Sequence, residues 1–275
     1  KVDTEPVSFA AAREEAKKYY DVLRNEHGRL AGIHVDEGII PNAVRYFDTF
    51  VGTEDDEKIK LTDIVEKELK DVKGIALIGE GGSGKTTALL RIWEDELKRG
   101  EYVPVYMPLN EYNSFKSLDN FIELYLNDRY HINIKNAPYK ILMLLDGFNE
   151  ITEQQDKAVK EIKTLLIQYG TKLKIMITSR REQELSSLLT VMSHYILLPL
   201  DEKAVVDYLN KAGVPVEEKI LPVLITPMML TLYTSNCFIQ DEIKPKLSLQ
   251  FMTADSKAAI IYNYLLCQLG KLFLD

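Results

Sequence analysis

The sequence predicts an α/β fold, a three-layer doubly wound parallel sheet with a small all-helical subdomain appended. Three observations lead there. A glycine-rich stretch, Gly79 to Thr86, stands between the apolar run Gly74–Ile78 and a helical pattern through Ala88, Leu89, Leu90 and Trp93, which is a strand, a loop and a helix. Apolar runs of strand length then alternate with helical patterns, as in sheets built from right-handed crossovers. After Leu200 the strands cease and only helical patterns recur.

From the N-terminus, residues 8 to 26 fit a helix with Ser8 as its cap, apolar positions at Phe9, Ala12, Ala16, Tyr19, Tyr20 and Leu23, and a stop at Gly28. From Ala31 to Thr53 the pattern is mixed and contains Pro41, an irregular or strand-like approach to the core. Residues 1–45 are therefore expected to form a helical and linker segment. Thr62 is a candidate cap for a short helix through Leu69.

Beyond the glycine loop a helix runs to about Lys98 and ends at Gly100. Tyr102–Leu109 is a short strand whose prolines suit an edge position. A helix over Leu118–Leu126 precedes Tyr139–Asp146, an almost unbroken apolar run that suits a central strand buried on both faces. A helix from Glu153 to Gln168 stops at Gly170, and strands follow at Leu173–Thr178 and Tyr195–Pro199. These elements are expected to form one α/β domain over residues 46–200. In residues 201–275, Asp201 caps a helix carrying Ala204, Val205, Tyr208 and Leu209 and ending at Gly213; further helical patterns cover Glu217–Leu224, Pro227–Cys237 and Ala254–Phe273.

Composition narrows the setting. The 275 residues are 46% hydrophobic and 28% charged, an ordinary globular profile, and a net charge of -8 argues against nucleic acid as the main partner. No run approaches the roughly 18 apolar residues of a membrane span; the longest candidate, Val223–Tyr233, is broken by Pro227. Cys237 and Cys267 lie in apolar stretches and read as buried thiols, which suits a reducing cytoplasm. The chain opens without methionine and stops after a helical pattern, so it is expected to be a fragment of a longer protein.

The loop fits G-x-x-x-x-G-K-[ST], with Gly79, Glu80, Gly81, Gly82, Ser83 and Gly84 as its backbone and Thr87 following. Glycines bring backbone N–H groups against phosphate oxygens, and the next helix points its positive end at the same anion. Lys85 is then expected to reach the β- and γ-phosphates, with the Thr86 hydroxyl on Mg²⁺. In doubly wound sheets ligands sit beyond the carboxyl ends of the strands, where Asp146 and Thr178 also fall. Asp146 would orient the Mg²⁺, and Glu150, on the loop after it, would polarise a water for attack on the γ-phosphate. Arg180, after Thr178 and Ser179, is the candidate γ-phosphate sensor, with Arg181 the competing choice. The plainer alternatives are a solvated turn after the Asp146 strand and an arginine in a surface salt bridge.

The motifs G-E-G-G-S-G-K-T-T, V-P-V-Y-M-P-L at Val103–Leu109, I-L-M-L-L-D-G-F-N-E at Ile141–Glu150, K-I-M-I-T-S-R at Lys174–Arg180 and T-P-M-M-L at Thr226–Leu230 together resemble NACHT-type NTPases. These are signal-transduction ATPases of the STAND group, with the AAA-like P-loop NTPase fold, and the resemblance spans about Tyr46 to Tyr233. It implies Lys85 and Thr86 as phosphate and Mg²⁺ contacts, Asp146 as metal carboxylate, Glu150 as water activator, Arg180 as sensor, and Pro227 packing on the adenine side. It further implies a base contact around Tyr46 to Val51. The family pattern usually has an acidic residue where Asn149 stands, a departure that bears on hydrolysis rate more than on binding. The family also usually supplies a histidine contact to ADP from a winged-helix unit beyond this chain's end.

The resemblance implies a slowly hydrolysing switch in which ADP/ATP exchange controls conformation and self-oligomerisation, with immune or antiphage defence as the setting. The competing readings are a small-molecule or nucleotide kinase, a GTPase and a nucleotide-stabilised scaffold without turnover. For the GTPase, Asn210-Lys211-Ala212-Gly213 resembles an N-K-x-D base reader but lacks its aspartate.

Overall fold

The computed structural model describes residues 6–30, 48–52, 58–243 and 249–272. The strands are β1 (Phe50–Gly52), β2 (Lys58–Lys60), β3 (Gly74–Ile78), β4 (Val103–Pro108), β5 (Ile141–Asp146), β6 (Leu173–Ser179) and β7 (Ser193–Leu197). Among the described residues these seven form one sheet in the order β2-β1-β7-β3-β6-β5-β4. The run from β7 to β4 is parallel and matches the five apolar runs of the sequence. β1 and β2 add an antiparallel extension, with β1 paired to both β7 and β2. Strands of three residues are too short to show a period, so only a strand-like approach was legible there.

The helices of this sheet unit are α1 (Phe9–Leu30, as far as Arg24), α2 (Leu61–Asp71), α3 (Lys85–Arg99), α4 (Leu118–Tyr130) and α5 (Gln155–Gln168). The step from β3 to β4 through α3 crosses the sheet in one direction, and the steps through α4 and α5 return. Right-handed crossovers therefore put α3 on one face and α4 and α5 on the other.

Contacts divide the chain into two units, Lys1–Arg24 with Thr49–Gly81 and Lys85–Leu198, and Asn25–Asp48 with Gly82–Gly84 and Pro199–Asp275. Residues 6–24 group with the sheet, where α1 buries Ala12, Ala16 and Tyr20 in the core. Ser8 does cap α1, its Oγ accepting from the Ala11 N–H at 3.3 Å, but the helix continues through Gly28. Thr62 does not cap α2: β2 runs straight into the helix, Lys60 occupies the cap position, and the Thr62 hydroxyl donates to Asp63 at 3.3 Å.

The far edge of the sheet shows how the sequence closes it. Along a strand, alternate residues turn their N–H and C=O groups to opposite sides. The Tyr130 hydroxyl accepts from the Tyr106 N–H at 2.9 Å and donates to the Tyr106 carbonyl at 3.1 Å, so Tyr106 faces outward, away from β5. Pro104 and Pro108 share its parity, and their missing N–H groups cost β4 no pairing with β5. The expected edge position is thereby accounted for.

Buried Glu96 links α3 to β4. Its Oε1 accepts from the N–H groups of Glu101 and Tyr102, each at 2.8 Å, across the turn at Gly100. Burial raises the pKa of this carboxyl above its ordinary value, opposed by the two backbone donors and Arg99.

The second unit contains α6 (Glu202–Lys211), α7 (Leu221–Leu224), α8 (Pro227–Ile243) and α9 (Lys257–Leu272). Asp201 caps α6 as expected, accepting from Ala204 at 3.1 Å. Val205, Leu209, Leu224, Leu230, Tyr233 and Ile260 form a separate core. The buried Asn236 amide donates to the Ile260 carbonyl at 2.9 Å and ties α8 to α9. Cys267 is buried, Cys237 is half-buried, and neither is in a disulfide.

Candidate nucleotide site

The site is built at the carboxyl end of the sheet, around Asp146, the last residue of β5. Its Oδ2 accepts from the Thr86 hydroxyl at 2.6 Å and from the Tyr106 hydroxyl at 2.8 Å. Oδ1 accepts from the Thr178 hydroxyl at 2.6 Å. The Thr178 oxygen in turn accepts from the Gly147 N–H at 2.8 Å. Strand geometry explains the convergence: Pro108 pairs with Asp146, so Tyr106 and Asp146 have the same parity and share a face of the sheet. Desolvation, the Asp146 charge and its hydrogen bond push the Tyr106 phenol well above its ordinary pKa, so the hydroxyl stays a donor.

Past Asp146 the chain turns through Gly147 at φ +80 into a 3₁₀ turn, Phe148–Glu150. A Cβ on Gly147 would lie 2.9 Å from the Glu150 Cδ, so glycine serves both the left-handed backbone and the close approach of that carboxylate. Glu150 is exposed, but partial loss of water raises its pKa, aided by Asp146 and opposed by Arg180 and Lys85. Asn113, in the 3₁₀ turn Leu109–Ser114 after β4, holds the backbone around it. Its amide donates to the Glu150 carbonyl at 2.8 Å and its Oδ1 accepts from the Thr152 N–H at 3.0 Å.

Lys85 opens α3, and its ammonium donates to the carbonyls of Gly79 at 2.5 Å and Glu80 at 2.8 Å. Burial lowers its pKa; Asp146, Glu150 and Glu184 oppose that, and Arg180 reinforces it. Arg180 is exposed, directly after β6, and its charge acts on both Lys85 and Glu150. Arg181, the competing choice, precedes the 3₁₀ turn Glu182–Leu185. The structure thus brings Lys85, Thr86, Asp146, Glu150 and Arg180 into one electrostatic neighbourhood.

The Gly79 N–H donates to the Ser179 carbonyl at 3.1 Å, anchoring the start of the glycine loop. Gly82 and Gly84 take φ of +80 and +92, conformations that side chains with a Cβ resist. Thr87 lies in the first turn of α3, whose leading N–H groups have no partners within the helix. The Ser83 Oγ is shielded from solvent and has no hydrogen-bond partner among the described residues. An unpartnered hydroxyl in a left-handed glycine loop at a helix N-terminus fits a phosphate. A hydroxyl 2.6 Å from a strand-end carboxylate fits Mg²⁺, a cation usually held by one or two protein oxygens plus phosphates.

The NACHT domain family profile matches residues 73–213 of the chain. The chain belongs to the NACHT family. Its NACHT match runs from just before β3 to just past the end of α6, and so takes in every charged site residue above.

Among solved structures, a DNA replication initiation factor is similar at 13% identity, covering 85% of this chain and 81% of that one, with a TM-score of 0.43. AMPPCP-bound DnaA from Aquifex aeolicus is similar at 14% identity, over 75% of this chain and 77% of that one, with a TM-score of 0.43. No curated protein matches.

Pro227, implied to lie on the adenine side, is buried at the first position of α8, where proline's missing N–H is harmless. Within the second unit the N–H of the next residue, Met228, donates to the Gly82 carbonyl at 3.1 Å. The implied base contact falls partly outside the described residues, since only Asp48–Val51 of that stretch is described. Sequence reasoning missed Tyr106 and Asn113. Tyr106 did carry a signal, because a tyrosine hydroxyl inside an apolar strand usually needs a partner; Asn113, in an irregular turn, carried none.

Proposed function

We propose that this chain binds ATP and ADP with Mg²⁺ and hydrolyses ATP slowly, as the switch of a signalling protein that oligomerises in its ATP-bound form. The observation that carries this is the contact of the Thr86 hydroxyl with Asp146 at 2.6 Å, which joins the glycine loop to the strand-end carboxylate. Thr86 and Asp146 would hold Mg²⁺, which when bound draws negative charge from the phosphate oxygens. Lys85 would bind the β- and γ-phosphates, the loop N–H groups would orient them, and Arg180 would sense the γ-phosphate. Glu150, exposed beyond Asp146, would take the proton of the attacking water, so hydrolysis fits better than transfer to a bound substrate.

Adenine is the base we assign. Asn210 and Lys211 close helix α6, which removes the loop setting that a guanine reader of the N-K-x-D type would need. Pro227 and the segment around Tyr46 to Val51 are the proposed base contacts. NACHT membership supports the signalling role, in a cytoplasmic immune or antiphage setting. No helix among the described residues is long and apolar enough to cross a membrane.

The test is the nucleotide that copurifies with the full-length protein, followed by mass and shape measured with ADP and with a nonhydrolysable ATP analogue. Trapped ADP and a larger assembly with the analogue are expected. Identical mass and shape in both would remove the switch, and tighter binding of GTP than of ATP would overturn the choice of base.

A further inference from the structure

Three hydroxyls hold Asp146, but they are not equivalent. Thr86 is the one whose oxygen is also assigned to the cation: its single proton can stay on Asp146 while a lone pair of the same oxygen faces the metal. The two donors with no metal assigned to them divide between the carboxylate oxygens, Thr178 on Oδ1 and Tyr106 on Oδ2.

Tyr106 is itself fixed at both ends. Its ring stacks on Trp93 of α3, with centroids 5.7 Å apart and planes 15° from parallel. Its backbone N–H and C=O are both engaged by the Tyr130 hydroxyl. The side chain is 6% exposed, so the phenol has little freedom to leave the carboxylate.

We propose that Tyr106 is a positioning residue for the cation site: its hydroxyl fixes the plane of the Asp146 carboxylate, against which the Thr86 oxygen meets the metal. The inference rests on reading the site as one for nucleotide and Mg²⁺. A phenol that merely found a convenient acceptor would matter for stability and leave metal affinity alone.

The experiment compares wild type with Tyr106→Phe, which keeps the ring on Trp93 and deletes only the oxygen. Mn²⁺ binding is followed by electron paramagnetic resonance in the presence of a nonhydrolysable ATP analogue, and analogue binding is measured separately in EDTA. The expected result is Mn²⁺ affinity about tenfold weaker in the variant, as loss of one hydrogen bond to a charged group implies, with metal-free binding within about twofold. Equal Mn²⁺ affinity in both proteins overturns the inference. So does a variant that unfolds or loses metal-free binding, since the role is then structural. Failure of the wild type itself to bind Mn²⁺ with the analogue counts against the underlying reading instead.

Discussion

Asp146 accepts hydrogen bonds from three hydroxyls, whereas the Glu150 carboxylate, one short turn later, accepts none among the described residues. The first is held from β4, β6 and α3; the second is exposed and is steadied only through its backbone, by Asn113. Their proposed tasks differ in the same way. A carboxylate that orients a cation gains from being fixed beforehand, while one that accepts a proton from water needs an open side toward solvent and a pKa near its working range.

The largest expected effect is on the open carboxylate. Glu150→Gln should cut phosphate release by about 10²- to 10⁴-fold, the usual weight of a general base, while leaving the Kd for ATP nearly unchanged. Unaltered release in single-turnover assays would show that Glu150 is not the base.

Next comes the anchored side. Thr178→Val keeps the shape but leaves the Gly147 N–H and one oxygen of Asp146 unpartnered, and should lower unfolding stability by about 2 kcal/mol or more. Urea unfolding measures it, and a midpoint equal to wild type would mean that Asp146 is not anchored as described.

A pH profile separates the two groups. The Glu150 pKa is raised, so the base is ionised, and kcat full, only above an acid limb displaced upward from the ordinary glutamate range. Activity should be lost as pH falls through that limb while ATP binding persists. Arg180 holds the pKa of Glu150 down, so Arg180→Ala should move the limb further up; a limb that stays put would detach Arg180 from Glu150. The smallest effect is expected for Asn113→Ala, a decrease in kcat of about fivefold, equal to roughly 1 kcal/mol for one lost hydrogen bond, with Kd unchanged in a binding titration.

The legibility of these parts in the sequence follows from their length scale. The glycine loop is a local pattern, and Asp146 ends an apolar run whose burial is itself a local property, so both were readable as site candidates. The prolines of β4 marked an edge for the same reason. Tyr106 is different: its partner lies 40 residues on, and the pairing depends on the register of β4 against β5, which only the folded sheet provides. Asn113 acts across 37 residues from an irregular turn, with no periodicity to point at it. The short strands β1 and β2 owe their place to pairing with each other and with β7, which no local pattern announces.

The Tyr130 hydroxyl has one more consequence. By accepting from an amide and donating to the carbonyl of the same residue, it does at the rim of the sheet what a neighbouring peptide group would do. Flanked by Pro104 and Pro108, it leaves that rim with little to offer a strand from another molecule. Strand-to-strand association at this edge of the sheet is thereby disfavoured, and any copy of this chain meeting it there would have to do so through side chains.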